Sequence, residues 1–214
     1  MLMQNAIIFG DSYSTFEGFV PKGYPIHYYK DKRNGTDVEQ VSHTWWHQVA
    51  EEANLNLVLN DSWSGSTIGY TGYNNADCSK TNSFIYRLKQ LIEKGFFAEN
   101  QIDTVFVFGG TNDSWAEAPL GEIKYGDWAE NELYFVLPAI CYFLNLVRET
   151  LPQANIYCII NTEIKPEIIS CFEKACKKYQ VCPVAFDSID KDLAHPTIKG
   201  MQTIKDGVLR AMGK

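Results

Sequence analysis

Five short runs dense in Ile, Val, Leu and Phe, each leading into a longer amphipathic stretch, constrain this chain more than any other feature. They are Ala6–Phe9, Leu55–Leu59, Thr104–Phe108, Ile156–Ile160 and Val181–Phe186. None alternates strictly between apolar and polar residues, which is the pattern of strands covered on both faces. The stretches between them predict helices over about 43–53, 81–95, 130–150, 166–179 and 197–212. Within 84–97, Phe84, Leu88, Leu91 and Ile92 recur at three- and four-residue spacing and form one apolar stripe. Pro166 suits the first turn of its helix, and Pro152 follows the end of the one before. Pro138 either kinks the long helix or marks its true start. Strand–helix units joined by right-handed crossovers give a parallel sheet with helices on both faces. The 214 residues allow one domain, 1–214, and leave little room for two.

Composition narrows the function by exclusion. The net charge of -7 argues against nucleic acid, whose phosphates need a basic face. No stretch approaches the roughly 18 apolar residues of a membrane helix, and the N-terminus has no basic leader, so a cytoplasmic protein is expected. Six cysteines (Cys78, Cys141, Cys158, Cys171, Cys176 and Cys182) fall without C-x-x-C pairs or His at ligand spacing. Neither a metal site nor a disulfide framework is expected, and Cys158 and Cys182 read as core residues. No cofactor is implied.

Two segments are too long to be plain connections: 11–42 after the first strand and 109–129 after the third. Both follow strand carboxyl ends, where ligands bind in open α/β sheets. Polar residues gather at the same ends: Gly10-Asp11-Ser12, Asn60 to Ser66, Gly109-Gly110-Thr111-Asn112-Asp113, and Asp192-Leu193-Ala194-His195-Pro196. These residue types suit acyl transfer. A serine hydroxyl attacks only when a base removes its proton, and His195 is the one histidine that follows a strand end with a carboxylate nearby. Asp192, three residues earlier, is placed to hold the ring through Nδ1–H and leave Nε2 for Ser12. The oxyanion needs preorganised donors, which the Asn112 amide and the backbone N–H groups of Ser12 and Gly65 can supply. A strand order of 2-1-3-4-5 would put Gly65, Ser12 and Asn112 after three adjacent strands.

Gly10-Asp11-Ser12, a glycine after the second strand, Gly110-Thr111-Asn112-Asp113 and Asp192-x-x-His195 together resemble the four blocks of the SGNH (GDSL-type) hydrolases, in that family's order and across almost the whole chain. The resemblance implies a flavodoxin-like three-layer α/β/α sandwich and a serine esterase. It makes Ser12 the nucleophile and an oxyanion donor, Gly65 and Asn112 the other donors, Asp192 the orienting carboxylate and His195 the base. Tyr13 stands where the signature has leucine. Gly69 and Gly72 compete with Gly65 for the second block.

Aromatic residues crowd the long loops, and Tyr13, Trp63 and Trp115 are the expected substrate contacts. Aromatic faces with a polar rim suit sugar rings, so a carbohydrate ester with a small acyl group such as acetyl is the preferred substrate. A short-chain lipid or thioester is the alternative, and a sugar-binding module that no longer turns over is the competitor outside the enzymes. Asp11 and Asp113 are expected to bond loop backbone. His43 and His47 read as a helix surface, since H-E-x-x-H needs a glutamate where Thr44 stands. His27 reads as an exposed loop residue, and Lys30-Asp31-Lys32-Arg33 as a solvated patch.

Overall fold

The computed structural model describes residues 3–31 and 35–214. In chain order its elements are β1 (Gln4–Gly10), α1 (Trp45–Ala53), β2 (Leu55–Ser62), α2 (Phe84–Glu93), α3 (Phe96–Glu99), β3 (Thr104–Gly109) and α4 (Thr111–Trp115). There follow α5 (Val136–Thr150), β4 (Asn155–Ile160), α6 (Pro166–Tyr179), β5 (Cys182–Val184), β6 (Lys191–Asp192), β7 (His195–Pro196) and α7 (Ile198–Ala211). Strands β1 to β5 form one parallel sheet in the order β2-β1-β3-β4-β5, as expected.

Side-chain alternation along the central strands builds two cores. Ile7, Phe9, Val105 and Val107 pack into the layer of α2, α5 and α6. Their neighbours Ala6, Ile8, Phe106 and Phe108 pack into the layer of α1 and α7. Full burial of each larger side chain contributes about 1.5–3 kcal/mol. Both faces being covered explains why these strands read as unbroken apolar runs.

Local signals set the helix ends. The Ser83 hydroxyl accepts from the Tyr86 N–H at 3.2 Å and starts α2 there. The Thr197 hydroxyl does the same for Gly200 at 3.2 Å in α7. Pro166 opens α6. Residues 130–134 form a separate 3-10 turn, and α5 begins only at Val136, so Pro138 lies in its first turn and marks a start rather than a kink. The fifth strand is shorter than its apolar run, because Pro183 has no N–H to extend a ladder and is tolerated on an edge. Cys182 is accordingly half-buried there, whereas Cys158 is in the core. Among the described residues no helix is long and apolar enough to cross a membrane. Lys32 and Arg33 of the charged patch lie outside the described residues.

Candidate active site

The chain turns sharply where β1 leaves the sheet. A Cβ on Gly10 would lie 2.3 Å from the Ser62 Oγ, so only glycine lets β1 and β2 end side by side. Asp11 then caps a one-turn 3-10 helix, Ser12–Ser14, its carboxylate accepting from the Tyr13 N–H at 3.0 Å. That turn holds Ser12 at the carboxyl end of the central strand.

The facing element is the β6–β7 hairpin. Its two-residue turn has both Leu193 (φ 44°) and Ala194 (φ 70°) in the left-handed region, as the turn that best matches strand twist requires. Here the usual Asn-Gly is absent, and the strain of about 1–2 kcal/mol per residue is held by neighbours. Tyr13 donates its hydroxyl to the Ala194 carbonyl, and Tyr28 donates to the Pro196 carbonyl at 2.9 Å. Lys191, its ammonium 2.9 Å from Glu163 and 3.1 Å from the Thr162 carbonyl, anchors the hairpin's other end.

So fixed, His195 brings Nε2 to 3.0 Å from the Ser12 Oγ. Its Nδ1 meets the Leu193 carbonyl at 3.3 Å, which fixes the proton on Nδ1 and leaves Nε2 as the acceptor. Burial lowers the His195 pKa below the usual histidine value; the Leu193 carbonyl opposes this and the Lys191 charge adds to it. Here the structure departs from expectation. Asp192 is exposed and is the cross-strand partner of His195, with no hydrogen bond from its carboxylate to the ring. The tight turn that reverses the chain puts a carbonyl, not the carboxylate, at Nδ1.

The amide donors sort themselves by their partners. The Gly69 N–H donates to the Asp113 carboxylate at 3.2 Å, and the Gly72 N–H to the Ala76 carbonyl at 2.8 Å. Among the described residues the N–H groups of Ser12 and Gly65 have no such partner. Gly65 has φ +84° with open space around it. Asn112, on α4, donates one Nδ2 hydrogen to the Ser66 carbonyl at 3.0 Å and keeps the other. Its Oδ1 accepts from the Tyr73 hydroxyl at 2.8 Å.

Buried charges brace this edge. Asp113 accepts from the Ile68 and Gly69 N–H groups, and Asp11 from Tyr13, so both bond loop backbone as expected. Burial outweighs those bonds and raises Asp11 to about 7 and Asp113 to about 6. Arg87 was not anticipated. Its guanidinium pairs with Asp61 at 2.7 Å and also reaches the Gly10 carbonyl at 3.2 Å and the Ser66 hydroxyl at 3.3 Å. It joins the ends of β1 and β2 to the 63–66 turn. The signal was present: Arg87 falls on the apolar stripe of Phe84, Leu88 and Leu91, where a charge needs a buried partner.

The aromatic residues divide. Tyr13, expected to touch substrate, is fully buried and packs edge-on against Phe108 at 5.4 Å, so it supports the hairpin instead. Trp115 is half-buried with its ring 6.0 Å from that of His195. Trp63 is half-buried and pairs with Tyr24 at 4.3 Å. His27 is no exposed loop residue: its ring stacks on His195 at 3.5 Å, 9° from parallel. His43 precedes α1 in a separate 3-10 turn, and His47 lies 3.6 Å from Glu51 on the helix, so the two form no joint site.

A three-layer sandwich that carries a buried serine directly after its first strand, against an imidazole from near its C-terminus, defines a class of hydrolases. The chain belongs to the GDSL-like lipase/acylhydrolase family, whose model matches residues 4–212. Two solved structures assigned as GDSL-like lipases are similar over essentially their whole length. The one from Bacteroides ovatus is 39% identical with a TM-score of 0.91, covering 100% of this chain and 99% of that one. The one from Bacteroides uniformis is 37% identical with a TM-score of 0.90, covering 99% and 96%. A family two carbohydrate esterase from Clostridium thermocellum shares the fold at 16% identity and a TM-score of 0.65, covering 98% of this chain and 63% of that one. No curated protein matches the chain.

Proposed function

We propose that the protein is a serine esterase that removes a small acyl group, such as acetyl, from a carbohydrate or a similar alcohol. The observation that carries the reading is the 3.0 Å contact between the Ser12 Oγ and the His195 Nε2. Ser12 attacks the ester carbonyl as its proton passes to Nε2. The carbonyl oxygen becomes an oxyanion, which accepts from the N–H groups of Ser12 and Gly65 and from the spare Nδ2 hydrogen of Asn112. The imidazolium returns the proton to the leaving alcohol. Water, activated by the same nitrogen, then releases the acid and frees Ser12.

The Leu193 carbonyl orients His195 in this scheme, and Asp192 adds only a solvent-screened charge. Trp115 and the Tyr24–Trp63 pair offer apolar ring faces beside polar groups, which suits the face of a sugar better than a long acyl chain. The carbohydrate esterase of similar fold is compatible with that choice.

The test is hydrolysis of p-nitrophenyl acetate by the wild type and by Ser12→Ala. Loss of the nucleophile lowers kcat by about 10⁶; equal rates would remove Ser12 from the mechanism. A panel of acetylated sugars set against p-nitrophenyl esters of increasing chain length decides the substrate. Rates that rise with chain length would favour a lipid instead.

A further inference from the structure

His27 and His195 come from opposite ends of the chain, yet their rings lie 3.5 Å apart and 9° from parallel. The contact is built rather than incidental, because His27 is tied to the nucleophile's own turn. Its backbone N–H donates to the Thr15 hydroxyl at 2.9 Å, and that hydroxyl donates to the Ser12 carbonyl at 2.9 Å. One residue on, the Tyr28 carbonyl accepts from the Glu17 N–H at 3.0 Å, and the Tyr28 hydroxyl binds the hairpin at Pro196. The loop after β1 therefore doubles back over Ser12 and lays one imidazole flat on the other.

We propose that His27 is a positioning residue for the base: it covers one face of His195 and fixes the ring plane that aims Nε2 at Ser12. This rests on the esterase reading of Ser12 and His195. The need for such a face follows from the partner at Nδ1, since one carbonyl at 3.3 Å fixes the tautomer but does not by itself hold the ring plane. Two imidazolium rings in contact would repel. Burial, with His195 adding to it, pushes His27 down to about 4, so the stacked ring is uncharged at neutral pH.

Among the described residues, four aromatic rings face His195. Tyr13 approaches from the Ser12–Ser14 turn at 5.4 Å, Tyr28 and His27 from the loop after β1, and Trp115 from α4. On its own hairpin are Asp192 and Lys191, the latter paired with Glu163 at 2.9 Å. Tyr13 and Tyr28 are held neutral well above their usual range by burial.

The experiment compares His27→Ala with His27→Phe, reading the NMR titration of the His195 ring and the steady-state kinetics on p-nitrophenyl acetate. In His27→Ala water reaches the exposed face, and the His195 midpoint rises by about half a unit or more as burial is relieved. Its kcat falls about 10- to 100-fold through a misaimed base, with KM changed much less. In His27→Phe, which keeps a flat ring and cannot titrate, the midpoint and kcat return close to wild type. An unchanged midpoint and kcat in His27→Ala would overturn the proposal. Should His27→Ala fail to fold, His27→Leu replaces it: the proposal stands if Phe outperforms Leu in kcat and falls if the two are equal. The titration needs no turnover, so an inactive wild type would sink the esterase reading while the stacking remained measurable.

Discussion

The Tyr73 hydroxyl donates to the Asn112 Oδ1 at 2.8 Å, while the Asn112 Nδ2 donates to the Ser66 carbonyl at 3.0 Å. The amide is thus held from both ends, and its remaining N–H has one direction to point. Donation to Oδ1 also draws electron density from the nitrogen and strengthens the donor left for the oxyanion. Asn112→Ala should lower kcat on p-nitrophenyl acetate about 10²- to 10³-fold. Tyr73→Phe leaves the donor in place but free to rotate, and should cost about tenfold or less. A Tyr73→Phe enzyme as slow as Asn112→Ala would give Tyr73 a direct role instead.

Asp192 provides a second contrast. A buried carboxylate that fixes the base's tautomer is worth about 10⁴ in kcat in a serine protease. Here a carbonyl takes that position and the carboxylate faces solvent. Asp192→Asn should therefore lower kcat by less than about tenfold, since an exposed ion pair is typically worth about 0–1 kcal/mol. A loss near 10⁴ would mean that the carboxylate reaches Nδ1 during turnover.

Arg87 carries stability rather than chemistry. Its pair with Asp61 is almost fully buried, at 2% and 3% side-chain exposure. Arg87→Met leaves a buried carboxylate without its partner, which costs about 3–5 kcal/mol. For a chain of this size the melting temperature should fall by roughly 10 °C. Replacing both members with Leu and Met should recover part of the loss. Thermal unfolding followed by circular dichroism measures both.

The two buried acids give a stability profile of unusual sign. Asp11 and Asp113 hold their protons in the folded protein up to about pH 7 and about pH 6, whereas the unfolded chain releases them near 3.8. A raised acid contributes stability that is complete below the unfolded value and is lost as pH rises through the folded one. Urea denaturation should therefore show these residues costing the fold more at pH 8 than at pH 5, because the loss begins above 3.8 and is complete only past the folded values. Asp11→Asn, which cannot ionise, should lose less stability between those two conditions than the wild type. An identical change in both proteins would mean that Asp11 is already ionised at pH 5.

What could be read in advance followed the physics of the sheet. Phe106 and Phe108 share a run with Val105 and Val107 because both faces are covered, and the run therefore announced a strand. The meeting of Ser12 and Asn112 at one edge of the sheet was legible because each stands within a few residues of the carboxyl end of a neighbouring strand. The partner of His195 at Nδ1 was not, since it is a backbone carbonyl aimed by two left-handed residues, Leu193 and Ala194, whose types give no hint of that conformation. Tyr13 misled for a related reason. An aromatic beside a nucleophile suggests a substrate contact, and only its complete burial against Phe108 reveals a brace. His27 was hidden by distance along the chain: nothing local marks a loop residue that will lie flat on a ring near the other terminus.

Pro183 has an effect well away from Ser12 and His195. It occupies the middle of β5, the outermost strand on its side of the sheet. An open strand edge is a template on which another chain can crystallise its own backbone, and a parallel sheet left bare in this way invites stacking into fibres. With only three residues and one donor missing, β5 offers an incoming strand too little to grip. The same residue that truncates the sheet thus helps keep neighbouring molecules apart at high concentration.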